Sequence, residues 1–395
     1  MLIKQPFEFQ ASFPRRLLRS TQHSTDRLTC LGTKYALQSS VAAVALTSDA
    51  VTFAPVSSDT SATKSSSEQP IKVNIVLAHA NGFVKELYEP LIQEVLQARA
   101  EVQAVFVHDV ATQGASGLKN AKKLGDQYSW SDSGLDILCM INSLRARGIM
   151  DDNPIVGVGH SMGGAQIAYA SLLHPNMFAA TILIEPILPD FRTDIQGATA
   201  VAAMSARRRE TWNSKEEARK AFLKSPFYQV WHPAVFERWM DHGIVLTGNG
   251  TEVKLATTPS QEVFSFMHMM PFQDTVDTDP DACTYVRSHM HTLNHPVFLI
   301  FGEKSTAITP QRKREISALA RFSTSIDLKD HGHLIPMESP AVIANLILEY
   351  IDQTLKGLRV KAQEDRSLVR GSTMTPQFKD ELANILKQAK EKAKL

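Results

Sequence analysis

The sequence predicts an α/β protein built on a mostly parallel, doubly wound sheet, and three observations predict it. Short apolar runs at residues 73–78, 102–107, 155–158, 180–184 and 297–301 have the length of buried strands. Helical spacing separates them, clearest in Leu135, Leu138, Ile141 and Leu144. Each of these runs also stops abruptly at a polar or glycine residue, His79, His108, Gly159, Glu185 and Gly302. Loops carrying chemistry are therefore expected at the carboxyl ends of the strands.

The bulk properties set the bounds. At 395 residues the chain suffices for one large domain with an insertion, or for two domains. Its 43% hydrophobic content supports a core, and a formal net charge of +1 gives no reason to expect nucleic acid or an acidic surface as partner. Cys30, Cys139 and Cys283 lack CxxC spacing, which argues against a disulfide framework or a zinc site and suggests a reducing compartment. No run of 18 apolar residues occurs, so no membrane span is predicted.

Residues 1–70 differ in composition from the rest. Arg15, Arg16, Arg19 and Arg27 fall among few acids, as in a mitochondrial transit peptide or an untidy, poorly ordered amino-terminal extension. Residues 35–37 and 50–54 are candidates for first antiparallel strands, and the Ser/Thr-rich residues 57–69 read as a flexible loop. The core is expected over 71–186 and 292–356, a helical lid over 187–291, and a carboxyl-terminal tail over 357–395.

The first core strand ends at His79-Ala80-Asn81-Gly82-Phe83, a turn signal. Residues 155–170, IVGVGHSMGGAQIAYA, then read as strand, tight turn and helix. Glycines at 159 and 163 remove the Cβ atoms that would collide where the strand reverses, and Ser161 is left projecting at the start of a helix whose dipole favours negative charge. Ser161 is the candidate nucleophile. In the lid, Phe222, Phe227, Tyr228, Trp231 and Phe236 read as lid core rather than a ligand box, and Arg207-Arg208-Arg209 as a solvated face. Strands resume at 297–301 and 326–328, and residues 340–355 close with a helix.

A serine nucleophile needs a base, and His331-Gly332-His333 follows the last strand where the chain returns to the sheet's carboxyl edge. His333 is the candidate base; His331 reads as structural. The orienting carboxylate is expected after strand 297–301, but there the sequence reads Gly302-Glu303-Lys304-Ser305, with serine where an aspartate would stand. Glu185, ending the preceding strand, is favoured, with Glu303 second. Two backbone N–H groups for an oxyanion are expected from Met162, directly after the serine, and from Asn81.

The stretches AHANGF, HDVATQGASG, GVGHSMGG, LIEPILPDF and DHGHLIPMESP together resemble the α/β-hydrolase superfamily from about residue 70 to 356. More narrowly, AHANGFVKELYEPL and RRRETWNSKEEARKAFLKSPFYQVW resemble a fungal subgroup that takes in the yeast peroxisomal lipase and the hydrolases of host-selective toxin clusters in Alternaria, whose toxins are epoxy-decatrienoate esters. The resemblance implies the α/β-hydrolase fold and a serine hydrolase acting on a small-molecule ester or thioester, of lipid or acyl-CoA type, without metal or organic cofactor. An acid after the earlier strand is similar to an arrangement in some haloalkane dehalogenases, although a serine nucleophile argues against dehalogenation. An acyltransferase using the same residues, and a non-catalytic binding protein suggested by Ser305, are the alternatives. Residues 375–394 read as a lysine-rich helix, and Ala393-Lys394-Leu395 resembles the peroxisomal signal of small, basic, Leu, which implies a peroxisomal import receptor as partner, with the cytoplasm as the alternative location.

Overall fold

The computed structural model describes residues 1–38, 71–189, 195–248, 250–267, 281–367 and 373–392. The strand expected at 50–54, the loop at 57–69 and the tripeptide Ala393-Lys394-Leu395 lie outside them. Two compact units divide the chain, Met1–Ile351 and Asp352–Leu395.

The first unit opens with β1 (Leu2–Gln10) and β2 (Thr29–Leu37), paired antiparallel. The strand expected at 35–37 falls in β2, and β1 and β2 correct the expectation of poor order for the described part of this extension, residues 1–38. β1 alternates Phe7 and Phe9 into the core with exposed neighbours, a pattern that its other seven residues conceal. The arginines that suggested a basic leader are partly structural: Arg15 is buried, with one guanidinium nitrogen 2.8 Å from Asp136 and another 3.4 Å from Asp132. A buried guanidinium requires such partners.

Strands and helices then alternate as the apolar runs predict: β3 (Val73–Ala78), α1 (Glu89–Ala98), β4 (Val102–His108), α2 (Gly114–Asn120), α3 (Trp130–Ala146), β5 (Ile155–His160), α4 (Met162–Leu173) and β6 (Phe178–Ile184). β3 and β5 are buried throughout and β6 is buried at all but Ala179, which explains their largely apolar runs. The cap follows, with α5 (Ile195–Ala206), β7 (Thr211–Trp212), α6 (Lys215–Leu223), α7 (Pro226–Gln229), α8 (Pro233–Arg238), β8 (Ile244–Leu246), β9 (Val253–Leu255), α9 (Pro259–Phe266) and α10 (Ala282–His289). β7, β9 and β8 make a small antiparallel sheet inside an insertion whose sequence reads only as helical. The aromatic residues of the cap pack on one another, with Phe222 5.0 Å from Trp212 and 4.8 Å from Tyr228 between ring centres. Phe83, from the loop after β3, meets Trp231 edge-on at 5.4 Å.

β10 (Val297–Gly302), α11 (Pro310–Ser317), β11 (Ser323–Leu328) and α12 (Ile335–Glu338) complete the core before α13 (Pro340–Ser367), which runs on into the second unit. β11 begins three residues before the apolar signal, because this edge strand is half exposed and needs no apolar run. The eight-stranded sheet has the order β1-β2-β4-β3-β5-β6-β10-β11, parallel from β4 to β11. The chain reverses its direction of growth at β3, with β4 on one side and β5 on the other. Crevices at the carboxyl ends of strands open at such a reversal. The second unit carries α14 (Pro376–Lys392), lysine-rich and with no buried residue. No helix among the described residues is long and apolar enough to cross a membrane.

Candidate active site

The turn from β5 into α4 depends on two missing side chains. A Cβ on Gly159 would stand 2.3 Å from the Gly163 carbonyl oxygen, and one on Gly163 would stand 2.2 Å from the Ala78 carbonyl oxygen of β3. With those approaches allowed, Ser161 is held at φ +56° and ψ −117° between strand and helix. Its own N–H donates to the Ile184 carbonyl at 2.9 Å. Among the described residues, Ser161, Glu185 and Asp330 are the non-glycine residues at positive φ. Backbone strain of this kind persists only where surrounding structure enforces it, and two of the three are candidate site residues.

His333 bridges the other two. Its Nε2 lies 2.9 Å from Ser161 Oγ, and its Nδ1 lies 2.8 Å from Glu185 Oε2. A carboxylate only accepts, so Nδ1 carries the proton and Nε2 is left bare to accept from the serine hydroxyl. Glu185 is fully buried at the end of β6. Its Oε1 accepts the Gly302 N–H at 2.7 Å, and its Oε2 also accepts from the Ser305 hydroxyl. The serine at the position expected for an aspartate thus donates to the acid one strand away.

The second candidate acid points elsewhere: Glu303 accepts the Asp330 N–H at 3.1 Å. His331 is engaged by the Lys329 carbonyl and the Ser339 hydroxyl.

Around the candidate oxyanion donors the amides sort themselves. Ala80 N–H donates to the Tyr88 hydroxyl, Gly82 N–H to Gln113 Oε1, and Phe83 N–H to the Ala80 carbonyl. For Asn81 N–H no acceptor occurs among the described residues. Met162 is the first residue of α4, so its N–H has no carbonyl a turn earlier to bond. The Asn81 side chain is clamped between Gln113 Nε2 and the Glu262 carbonyl of α9. Glu262 in turn pairs with Arg208, so one of the three consecutive cap arginines is not a solvated face but a bridge to this loop. Arg209 stacks over Trp212 and pairs with Glu217.

Sequence reasoning missed the groups that brace the site. Tyr88, at the end of the 3₁₀ turn Lys85–Tyr88, and His160, the residue before the serine, are both buried and bonded to each other. Burial, and then the neighbouring His333, push the His160 imidazole down to about 3, so it stays neutral. His160 stands inside the Gly-x-Ser-x-Gly motif; nothing in the sequence marks Tyr88 as its partner.

The profile of the Alpha/beta hydrolase family matches residues 75–346. The type I acyl-CoA thioesterase mpaH of Penicillium brevicompactum is 33% identical over 178 residues, covering 43% of this chain and 39% of that protein. The chain therefore spans about two fifths of the length of that relative. The abhydrolase domain-containing protein AFT2-1 of Alternaria alternata is 29% identical over 224 residues, 51% of this chain and 84% of that protein. Among solved structures, the peroxisomal alpha-beta-hydrolase Lpx1 of Saccharomyces cerevisiae matches with a TM-score of 0.72 at 20% identity, covering 100% of this chain and 99% of that one.

Proposed function

Since the chain belongs to the alpha/beta hydrolase family, we propose that it is a serine hydrolase of acyl esters or thioesters, with Ser161 as nucleophile, His333 as base and Glu185 as orienting acid. The observation that carries this reading is the imidazole of His333 bonded at 2.9 Å to a strained serine and at 2.8 Å to a buried carboxylate. His333 Nε2 takes the proton as Ser161 Oγ attacks the acyl carbonyl, and returns it to the departing alcohol or thiol. The imidazolium formed in between is stabilised by Glu185, whose three donors hold it in place. The Met162 and Asn81 amides receive the oxyanion, each contributing roughly 3 to 4 kcal/mol. Water, activated by the same histidine, then releases the acyl group.

The similarity to an acyl-CoA thioesterase supports thioesters among the substrates. The resemblance to toxin-cluster hydrolases supports the narrower reading, cleavage of an acyl carrier or ester bond during fungal toxin assembly, in which epoxy-decatrienoate esters are the type. The likeness to one yeast peroxisomal protein, LPX1, supports the peroxisome as the site of action.

Labelling with a fluorophosphonate, read by intact mass, tests the chemistry. Wild type gains one adduct, Ser161→Ala gains none, and release of coenzyme A from medium-chain acyl-CoA falls at least about a thousandfold in that variant. A folded wild type that neither labels nor turns over any ester leaves the non-catalytic binding reading standing.

A further inference from the structure

Three loops meet at the serine, and a single chain of hydrogen bonds, buried except at its His333 end, runs through all of them. Ala80 N–H donates to the Tyr88 hydroxyl at 3.0 Å, that hydroxyl lies 2.8 Å from His160 Nδ1, and His160 Nε2 lies 2.9 Å from the His333 backbone carbonyl. The directions are fixed by valence. The carbonyl of His333 only accepts, so Nε2 of His160 carries the proton and its Nδ1 is bare. The Tyr88 hydroxyl accepts from Ala80 and spends its one proton on that bare nitrogen. Tyr88 and His160 are each 1% exposed, so water does not substitute for these bonds.

The endpoints distinguish this chain from ordinary satisfaction of buried polar groups. Ala80 immediately precedes Asn81, His160 immediately precedes Ser161, and the carbonyl belongs to His333 itself. Resting on the proposed serine hydrolase reading, we propose that Tyr88 and His160 are positioning residues that tie the oxyanion loop, the nucleophile turn and the base loop into one unit. Neither touches substrate. Because the His160 ring is neutral across the working pH range, it sets geometry without adding charge beside the base. Transition-state stabilisation depends on donors and base holding sub-ångström positions, so loosening the chain slows chemistry more than it weakens substrate binding.

The experiment uses the full chain with p-nitrophenyl butanoate, the variants Tyr88→Phe, His160→Gln and His160→Leu, and ¹⁵N spectra of the histidine rings at neutral pH. Tyr88→Phe keeps the ring and removes the hydroxyl; kcat should fall roughly 10- to 100-fold with KM within about twofold. His160→Gln retains both a side-chain N–H and an acceptor, and should recover much of the rate that His160→Leu loses. In wild type the His160 ring should carry its proton on Nε2 alone; in Tyr88→Phe the His333 carbonyl should hold it there, while the bare Nδ1 resonance shifts as it loses its donor. Unchanged kcat in Tyr88→Phe, equal losses in His160→Gln and His160→Leu, or a wild-type His160 protonated on Nδ1 would each overturn the proposal. If wild type hydrolyses nothing, the serine hydrolase reading fails, and the ¹⁵N spectra still decide whether the bonded chain exists.

Discussion

A buried carboxylate needs donors for both oxygens, and Glu185 has Gly302 N–H, the Ser305 hydroxyl and His333 Nδ1. Glu185→Gln keeps the shape but presents an amide that disfavours the required tautomer of His333, so kcat should drop about a thousandfold to ten-thousandfold, read from ester turnover normalised to folded protein. Because Ser305 already reaches Glu185, the double variant Glu185→Ala/Ser305→Asp brings a carboxylate to the same region from the neighbouring strand. It should run at least about tenfold faster than Glu185→Ala alone in the same assay; equal rates would mean that position 305 does not face the imidazole. Ser161 and His333 could be picked out in the sequence because a nucleophile turn and a Gly-His after the last strand have local patterns. Glu185 could be picked out by its place at the end of an apolar run. Tyr88 could not, because its partner lies 72 positions away and only folding brings the two together.

At the scale of elements, the β5–α4 turn tolerates no added methyl. Gly163→Ala would press its Cβ against the Ala78 carbonyl of β3, a backbone atom that has no rotamer to yield. The expected cost is about 2 kcal/mol or more of stability, seen in the urea midpoint, together with loss of activity as Ser161 shifts. The hairpin of β1 and β2 is pinned differently, through Arg15 between Asp132 and Asp136 on α3. Arg15→Met leaves two buried carboxylates without their cation and should destabilise the first unit by about 3 to 5 kcal/mol, measured by urea denaturation. The parallel strands were legible because burial on both faces demands apolar runs. β11 was legible only in its last three residues, and β1 and the cap sheet were not, since strands at an edge, or only two or three residues long, satisfy their packing with one or two side chains.

Across the molecule, several buried groups titrate away from their ordinary values, and acid should weaken the fold. Burial pushes His160 down to about 3 and His108 down to about 4, whereas the unfolded chain binds those protons below about 6.5. Stability is therefore full above that value and declines as pH falls through the window between the two. Asp132, raised by burial to about 6, opposes them, since the folded state binds its proton first. Burial also lowers His79, so the histidines outweigh the one acid and the urea midpoint should fall between pH 7 and pH 5. The opposite slope would show that these histidines are charged in the fold. The order of the strands carries one more consequence, for a chain still leaving the ribosome. The serine, its strained turn and the loop beside it belong to β3 and β5, while β10 and His333 emerge only after the whole cap has been made. A nascent chain can close the first half of this sheet and still lack the base proposed above, which places hydrolytic competence late in synthesis, when residue 333 docks. On the proposed serine hydrolase reading, the growing polypeptide stays inert toward esters until the cap residues have been made.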